Sequence, residues 1–425
     1  MLNIQYSHPR RYTVAISAVG GGKGDGMAKS ANGQAGQDQA YDAVSLVDDV
    51  LRAAAGAGAS DVHFEPTAGD MVIRFRLDGL LKDIERVPKP LAEMLVSRLK
   101  VLGGLLTYRN DIPQEGRLTV PDAAPAQAEG PAGPGETAAV PDRRLAVFPT
   151  IHGQRAVVRL FYHDSELWDL DRLGLPPTIA ARLHRLAGAT EGLVLLTGPA
   201  GSGKSTTLRA MLHHIVRHFP GRSIVTLEDP VERHVEGVTQ VQISPHGEMT
   251  FPRALRSILR QDPEVLMIGE IRDDQTARIA VEAALTGHLL LSTLHSSTPA
   301  AALLRLLEMG IEPYQVTSSV SAVVSQRLVR RLCDECKRMV AEGGFEPVGC
   351  EQCLGTGFRG RTLIAEMVQL DGELRKALLA KADLDALEAL LRSKGHSTML
   401  TDGKRLIETG ITTQGELSKA CGTSI

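Results

Sequence analysis

The sequence of 425 residues predicts an α/β fold in which a phosphate-loop domain follows a smaller α+β domain. Three observations lead to this prediction. A buried apolar strand at 193–197 runs into a G-x-x-x-x-G-K-S motif and then into a helix at 208–216. Strands and helices alternate from about 178 to 332, which is typical of a parallel sheet covered by helices. Ahead of them, residues 61–65 and 71–76 alternate between apolar and polar side chains, as half-buried strands do.

The composition is that of a globular chain, with 43% hydrophobic, 23% charged and 4% aromatic residues. The formal net charge of −3 gives no electrostatic reason to expect nucleic acid as a direct partner. The sequence contains no uninterrupted apolar run of about 18 to 20 residues, the length that a transmembrane helix needs. It also shows no convincing secretory signal, so we expect a cytoplasmic protein.

The first 164 residues are expected to form a disordered segment and a small domain. Residues 1–39 are rich in glycine, alanine and serine without sustained periodicity, which predicts disorder, and translation could begin at Met1 or at Met27. The small α+β domain is expected over 40–164. Its predicted elements are helices at 44–55 and 91–102, strands at 61–65, 71–76, 144–148 and 155–160, and a Pro/Ala/Gly-rich insertion at 121–141.

The remaining residues are expected to form the phosphate-loop part and the C-terminal end. A linker at 165–177 leads to the P-loop core, which we place at 178–332. A cysteine-containing element follows at 333–366, and a helical region ends the chain at 367–425. The helical spacing at 383–393 predicts one amphipathic helix within that last region.

The G-x-x-x-x-G-K-S motif predicts a nucleoside triphosphate site. Its glycines let backbone N–H groups close around phosphate oxygens, and the following helix adds the positive end of its dipole. Lys204 is expected to contact the β- and γ-phosphates, and the Ser205 hydroxyl to bind Mg²⁺. The alternative is a chance glycine turn, which the strand before the motif and the helix after it disfavour. The predicted loop consists of Gly198, Pro199, Ala200, Gly201, Ser202, Gly203, Lys204, Ser205 and Thr206.

Acidic and imidazole side chains flank the strands that follow this loop. Glu228 follows a predicted strand at 223–227, and Glu270 follows another at 263–268. His288 and His295 bracket a third strand, 289–294. Ligands sit at the carboxyl ends of parallel strands, where a carboxylate can hold Mg²⁺ through water or orient the attacking water. Each residue taken alone is better explained as a surface acid or a packing histidine, but their joint occurrence after a phosphate loop favours a functional site.

These motifs resemble those of the secretion ATPase superfamily, and in particular those of the type II secretion and type IV pilus assembly ATPases (the GspE/PilB type). The resemblance covers about 40–420 and implies a RecA-like ATPase fold that works as a homo-hexamer. The segments that carry it in the P-loop core are 198–206, 224–232, 255–264, 269–273 and 286–295.

The resemblance also implies roles for individual residues. Residues 228–232 correspond to the family's Asp box, Glu270 to its atypical Walker B motif, and His288 and His295 to its His box. By this correspondence the catalytic acid is Glu270 and Glu228 is its partner, and it stays open which of the two polarises water and which serves Mg²⁺. His295 is expected to sense the γ-phosphate.

The small domain matches the family as well. Segments 59–66, 74–79, 113–117 and 148–155 resemble the family's second N-terminal domain, which is PAS-like and supplies arginines to the nucleotide. The resemblance makes Arg117 and either Arg143 or Arg144 the candidates, because a guanidinium can stabilise transition-state charge. The alternative for each is an ordinary surface arginine.

Four cysteines in two C-x-x-C units predict a structural zinc site. Thirteen residues separate the two units, which is close to the spacing of tetrahedral Cys₄ zinc sites. Four thiolates leave no open coordination position, so the zinc is expected to be structural. Disulfides or a redox-active C-x-x-C are less favoured alternatives, and Cys421 is expected to be incidental. The expected ligands are Cys333, Cys336, Cys350 and Cys353.

The cysteine element resembles the assembly and secretion branch of the family, whereas pilus-retraction ATPases lack it. The resemblance therefore implies a Mg²⁺-dependent hexameric motor ATPase that powers pilin or pseudopilin assembly, held at the inner membrane by platform proteins. The alternatives are a related ATPase serving DNA uptake or conjugation, and a degenerate nucleotide-binding scaffold, which the intact motif residues argue against. The chain departs from the secretion branch in its insertion at 121–141 and in having only residues 1–39 where a further docking domain is usual.

Overall fold

The computed structural model describes residues 42–118, 142–162, 165–244, 247–340 and 344–422. The predicted disordered segment 1–39 and the predicted insertion 121–141 lie outside the described residues. The chain divides into two compact units, Met1–His163 and Asp164–Ile425, and each is described by itself below.

In its described residues, the first unit consists of an antiparallel sheet of six strands with two helices packed against it. The spatial order is β3-β2-β1-β6-β5-β4, and every neighbouring pair is antiparallel. The small α+β architecture expected from the sequence is therefore confirmed. The elements are α1 (Ala43–Gly56), β1 (Asp61–Pro66), β2 (Asp70–Leu77), β3 (Leu80–Pro88), α2 (Lys89–Leu102), β4 (Gln114–Arg117), β5 (Asp142–Thr150) and β6 (Gly153–Phe161).

Local sequence signals account for these elements. The Asp42 side chain accepts a hydrogen bond from the Val44 backbone N–H and so caps the start of α1. The turn between β2 and β3 consists of Asp78 and Gly79, which both have positive φ, the backbone shape that a tight hairpin turn requires. The core between sheet and helices includes Phe64, which is fully buried.

The second unit contains a sheet of seven strands in the order β15-β12-β7-β11-β10-β8-β9. Six strands run parallel, and only β15 is antiparallel to its neighbour β12. Strands β7, β8, β10 and β11 are buried along their whole length, as expected for a parallel sheet covered on both faces. The sheet strands are β7 (Gly192–Thr197), β8 (Ile224–Glu228), β9 (Thr239–Gln242), β10 (Val265–Ile268), β11 (Leu289–Leu294), β12 (Val320–Leu332) and β15 (Phe358–Val368).

Helices cover the two faces of this sheet. Alternate residues of β7 belong to two separate apolar cores: Leu193 and Leu195 to one, Val194 and Leu196 to the other. This double burial is what the α/β pattern of the sequence predicts. The helices of this part are α3 (Pro177–Ala187), α4 (Lys204–His218), α5 (Phe251–Ile258), α6 (Asp274–Leu285), α7 (Pro299–Glu308) and α8 (Pro313–Ser319).

The segment 165–177, interpreted from the sequence as a linker, packs against the second unit. It contains two short 3₁₀ turns, Ser165–Trp168 and Leu170–Arg172, before α3 begins. The side chains of Leu170, Leu173 and Leu175 are buried in the apolar core of the second unit. This segment is therefore part of the second unit's hydrophobic core.

The cysteine element lies between β12 and β15, so it is an excursion from two adjacent strands of the main sheet. Its own small hairpin pairs β13 (Arg338–Met339) with β14 (Phe345–Glu346). Four helices follow β15, which agrees with the helical C-terminal end that the sequence predicts. They are α9 (Gly372–Leu379), α10 (Leu384–Ser393), α11 (Met399–Glu408) and α12 (Gln414–Cys421).

Candidate functional site

The phosphate loop connects the end of β7 to the start of α4. Gly198, Gly201 and Gly203 all have positive φ values, of 141°, 74° and 90°. A Cβ atom at Gly198 would lie 2.5 Å from the carbonyl oxygen of Gln326, so only glycine fits there. The motif glycines are thus required by the backbone conformation and by a close contact with strand β12.

Lys204 is the first residue of α4 and is buried. Its Nζ donates hydrogen bonds to the carbonyl oxygens of Gly198, at 2.8 Å, and Pro199, at 3.0 Å. Burial lowers the pKa of Lys204, and the nearby negative charge of Glu270 opposes this shift. The ammonium group therefore lies inside the loop, close to the position where the sequence motif predicts phosphate oxygens.

Glu228 is the last residue of β8, and its side chain is buried. One oxygen, Oε1, accepts hydrogen bonds from Thr226 Oγ1 at 2.8 Å and from Gln240 Nε2 at 2.9 Å. Two donors on one oxygen hold the carboxyl group in a fixed orientation at the carboxyl end of the strand.

Glu270 lies two residues beyond the end of β10 and is held by two cationic or potentially cationic groups. Its Oε2 lies 2.7 Å from Arg272 Nε, and its Oε1 lies 3.0 Å from His295 Nε2. His295 comes directly after β11, the neighbouring strand, so the parallel arrangement of β10 and β11 brings the two side chains together. The Glu270 side chain is 19% exposed, which leaves it accessible from the cavity.

A cavity of about 240 Å³ lies at this edge of the sheet. The sequence-predicted residues come together around it from the phosphate loop and from the ends of three strands. The pocket is therefore concave, charged and positioned where ligands of open α/β sheets bind. Its lining includes the predicted residues Ala200, Gly201, Lys204, Ser205, Glu228, Glu270 and His295.

The remaining residues of the phosphate loop belong to the loop but do not face the cavity. Gly198, Pro199, Ser202, Gly203 and Thr206 do not line the cavity. Ser202 is buried, and its backbone carbonyl accepts a hydrogen bond from Gln326 Nε2 at 2.9 Å.

Of the other residues that line the cavity, Arg209, Arg272 and Phe251 were not among the predicted site residues. Arg209 lies one helical turn after Ser205 on α4 and forms an ion pair with Glu232. Its i+4 spacing from Ser205 is a signal that could have placed it on the cavity side of the helix. Arg272 lies two residues after Glu270, while Phe251, at the start of α5, carries no sequence signal that distinguishes it from a core residue.

His288 lies at the opposite end of β11 from His295. Its Nδ1 is 3.0 Å from the carbonyl oxygen of Ala283 at the end of α6, and it does not line the cavity. Of the two predicted His-box residues, the structure thus brings only His295 to the predicted acids.

The candidate arginines belong to the first unit, where Arg117 on β4 and Arg144 on β5 are paired in register. Directly paired residues share a sheet face, and both of these are exposed. The Arg144 guanidinium also lies 5.1 Å from the centre of the Phe161 ring. Arg143 is buried instead, and burial lowers its pKa. Arg144 is therefore the one that shares a surface with Arg117, and their catalytic roles stay predictions.

The four predicted zinc ligands form one cluster, with all four sulfur atoms within 4.8 Å of one another. The Sγ atoms are 3.8 Å apart in the pairs Cys333–Cys350, Cys336–Cys353 and Cys350–Cys353. A tetrahedral zinc ion with Zn–S bonds of about 2.3 Å requires S···S separations of about 3.8 Å, whereas a disulfide requires about 2.05 Å. The donor set and its spacing therefore fit a zinc ion and exclude a disulfide.

Backbone N–H groups surround the cysteine sulfurs. Those of Cys350 and Gly357 donate to Cys353 Sγ at 3.1 Å and 3.2 Å. Burial alone would raise the pKa of the Cys353 thiol, but these hydrogen bonds, together with those from the Cys350 and Cys336 side chains, outweigh it and lower the pKa to about 6. N–H donors that stabilise thiolates are what a zinc–cysteine site needs around its ligands.

The family profile described as "Type II/IV secretion system protein" matches residues 37–419. The chain belongs to this family. It is 42% identical over 376 residues to the type II secretion system protein HxcR of Pseudomonas aeruginosa, a match that covers 88% of this chain and 76% of that relative. It is 38% identical over 392 residues to the type II secretion system ATPase E of Vibrio cholerae, covering 88% and 75%. The recognition of a GspE/PilB-type ATPase from sequence motifs is thus confirmed.

Another member of the family is much longer than this chain. The chain is 38% identical over 393 residues to the type IV pilus assembly ATPase PilB of Thermus thermophilus, but the match covers 88% of this chain and only 42% of that protein.

Solved structures show the same fold. The pilus retraction motor PilT with bound ADP superposes with a TM-score of 0.58 at 24% identity, covering 88% of this chain and 97% of PilT. The ATPase DotB of Legionella pneumophila gives a TM-score of 0.64 at 21% identity, covering 90% and 97%. The secretion-ATPase fold expected from the family's motifs is therefore confirmed. Among the helices of the described ranges, none has both the length and the hydrophobicity needed to cross a membrane.

Proposed function

We propose that the chain hydrolyses ATP with Mg²⁺ at the cavity between the phosphate loop and the ends of β8, β10 and β11. The observation that carries this proposal is the arrangement of Lys204, Glu228, Glu270 and His295 around one cavity at the carboxyl edge of a parallel sheet. Membership of a family whose relatives are named ATPases supports it. Phosphoryl transfer mainly needs positioning of the reacting groups and neutralisation of phosphate charge, and the lysine, glutamate and histidine side chains of this cavity can meet both needs.

Each side chain takes a role that follows from its position. Lys204 neutralises the β- and γ-phosphates, because its ammonium group lies inside the loop. Glu270 orients the attacking water, and His295, 3.0 Å from it, contacts the γ-phosphate and keeps the carboxylate in place. Ser205, exposed at the start of α4, and Glu228 would hold Mg²⁺, directly or through water. The bound Mg²⁺ supplies additional charge neutralisation for the transferred phosphoryl group.

Two further groups complete this proposal. Arg117 and Arg144 lie on one exposed face of the first unit, and guanidinium groups are suited to stabilising phosphate charge. The four cysteines bind one zinc ion, which holds the excursion between β12 and β15 in a single conformation.

We propose that the biological role is that of a hexameric motor that powers pseudopilin or pilin assembly in type II secretion or type IV pilus formation. The names of the relatives at 38–42% identity support this role. The motor is expected to act at the cytoplasmic side of the inner membrane through platform proteins. A role in DNA uptake or conjugation has no separate observation in its favour.

Phosphate release from ATP by the purified full chain tests the activity, with Lys204→Ala as the variant. Wild-type protein is expected to release phosphate with Mg²⁺ and to stop when EDTA is added. Lys204→Ala is expected to be at least about a hundredfold slower, because a group that neutralises transition-state charge is lost. Lys376→Ala is the matched control, since Lys376 is exposed on α9 and does not line the cavity. Equal rates in Lys204→Ala and the wild type would overturn the proposal.

Mass photometry tests the assembly proposal. The wild-type chain with Mg²⁺ and a non-hydrolysable ATP analogue is expected to form particles of six subunits. A purely monomeric protein under these conditions would contradict the hexameric motor while leaving the hydrolysis proposal to be judged by the phosphate assay.

A further inference from the structure

The phosphate loop packs against a residue that lies more than a hundred positions later in the chain. Gln326, on β12, is fully buried, and its Nε2 donates a hydrogen bond of 2.9 Å to the backbone carbonyl of Ser202. A Cβ atom at Gly203 would lie 3.1 Å from the same Nε2, and one at Gly198 would lie 2.5 Å from the Gln326 carbonyl oxygen. Three of the loop residues, two of them motif glycines, therefore contact this one glutamine.

The hydrogen bond from Gln326 to the Ser202 carbonyl bears on which way the backbone N–H and carbonyl groups of the phosphate loop point. A loop whose N–H groups face a phosphate turns its carbonyl groups away from the ligand, and those carbonyls need donors elsewhere. Lys204 supplies donors to Gly198 and Pro199, and Gln326 supplies the donor to Ser202. The amide nitrogen has to face Ser202, because a carbonyl oxygen accepts hydrogen bonds and cannot donate them.

Stability alone does not explain a glutamine at this position. The other side-chain atom of its amide, Gln326 Oε1, is buried without a hydrogen-bond partner among the described residues, as is Ser202 Oγ. Burying an unpaired polar atom is costly, so an apolar side chain of the same size would suit the interior of the sheet better. The contact with Ser202 is the feature that an apolar residue could not provide.

Ser325, the neighbour of Gln326 on β12, makes a similar hydrogen bond to the segment that follows His295. Ser325 Oγ donates to the carbonyl oxygen of Ser297 at 3.2 Å, two residues after His295. Strand β12 thus contacts both the phosphate loop and the segment that follows His295.

We propose that Gln326 is a positioning residue for phosphate binding: its amide holds the Ser202 carbonyl so that the loop N–H groups face the phosphates. The inference depends on the proposed function, because it assigns a supporting residue to that same nucleotide site. Gln326 does not line the cavity, so it acts through the loop and touches no phosphate itself. Loss of its amide should weaken phosphate binding about tenfold, the effect of one lost neutral hydrogen bond.

Calorimetric titration of the full chain with Mg-ATP and, separately, with Mg-tripolyphosphate tests this proposal. Gln326→Met keeps the size and removes the amide, and Gln326→Glu keeps the shape and replaces the donor by an acceptor. Both are expected to raise the Kd of both ligands about tenfold, because tripolyphosphate occupies only the phosphate loop. The matched control is Gln315→Met, at a half-buried glutamine on α8, whose Kd values should equal the wild type's.

Titrations are made well below each variant's melting temperature, so that reduced stability and reduced affinity are separated. A Kd within twofold of the wild type in folded Gln326→Met or Gln326→Glu would overturn the positioning role, as would a change confined to kcat. If the wild-type chain itself does not bind Mg-ATP, the proposed function fails. If the wild type and the Gln326→Met variant bind Mg-ATP equally well, only the role of Gln326 is contradicted.

Discussion

The Oε1 atom of Glu270 lies 3.0 Å from the Nε2 atom of His295, although the two residues follow different strands. Strands β10 and β11 are parallel neighbours, so residues just beyond their carboxyl ends are brought to the same place. The Arg272 guanidinium lies 2.7 Å from the other oxygen of the same carboxylate. The group that we assign to water activation is therefore held on both oxygens.

His295→Ala is expected to reduce kcat by about tenfold to a hundredfold and to change the Kd of Mg-ATP much less. The reason is that the substitution removes a group that orients Glu270 and contacts the transferred phosphoryl group, while Lys204 remains in place. His295→Gln should recover part of the rate, because its amide N–H can still reach the carboxylate.

The matched control for this prediction is His288→Ala. His288 lies at the other end of the same strand and is 3.0 Å from the Ala283 carbonyl, away from the cavity. Steady-state phosphate release measures both variants. Equal rate losses in the two variants would show that the His295 effect is structural rather than catalytic.

The purified chain is expected to contain about one zinc ion per molecule by mass spectrometry of metals. The paired substitution Cys333→Ser with Cys336→Ser should remove it, because two of four thiolate ligands are lost. Cys421→Ser is the control and should keep its zinc, since Cys421 is not part of the cluster. Full zinc content in the double variant would contradict the assignment of the site.

Stability is expected to fall as the pH is lowered from about 6.5 towards 4. Burial, together with the neighbouring imidazoles of His184 and His218, lowers the pKa of His214 to about 4, and Asp169 and Asp171 oppose this only in part. Between these pH values the unfolded chain binds a proton at His214 that the folded chain does not, so acid favours unfolding. Because solvent screens a half-buried group, we expect a loss of about 1 kcal/mol.

Urea unfolding at several pH values measures this effect. His214→Gln, which cannot take up that proton, should show a shallower loss of stability between pH 6.5 and 4 than the wild type. His234→Gln is the control, because His234 is exposed and its removal should leave the slope unchanged. Identical slopes in the wild type and His214→Gln would contradict the role of this imidazole.

Arg330→Met is expected to destabilise the second unit by about 3 kcal/mol. Arg330 makes two hydrogen bonds to Glu416, of 2.8 Å and 2.6 Å, which join β12 to α12, and the two side chains are only 11% and 9% exposed. Burial would raise the pKa of Glu416, but the hydrogen bonds from Arg330 outweigh it and lower the pKa. Removing the arginine leaves a buried carboxylate without its main partner.

An exposed ion pair offers the comparison for Arg330. Arg338 contacts Glu346 in the cysteine-element hairpin, with side chains 70% and 41% exposed. Arg338→Met should cost less than about 1 kcal/mol in urea unfolding, because solvent screens an exposed pair. A loss at Arg330 no larger than the loss at Arg338 would contradict the structural importance of the buried pair.

The sequence was informative wherever a local pattern determines a local structure. The helix around 44–55 and the phosphate loop each depend on neighbouring residues, and both were predicted in the right place. The order of strands in the sheets was not accessible in this way. Strand β15 pairs with β12, from which the cysteine element separates it in the chain. Nothing within residues 358–368 alone indicates that β12 is the strand with which they pair.

The site residues that local motifs mark were predicted from the sequence, whereas those that depend on long-range contacts were not. Motif spacing identified Lys204, Glu228 and Glu270, since each follows a recognisable strand or loop. The family resemblance also grouped His288 with His295 in one motif, although a strand separates them and only His295 lines the cavity. Gln326 was not found, because its role depends on a contact over 124 positions in the chain that leaves no local pattern.

Phosphate release from Mg-ATP by Glu270→Ala, compared with the wild type, is the decisive measurement for ATP hydrolysis at this cavity. We expect the wild type to turn over ATP and Glu270→Ala to be at least about a hundredfold slower, while the variant still binds Mg-ATP and unfolds at a similar temperature. Normal turnover by the purified, folded Glu270→Ala variant would contradict the proposal.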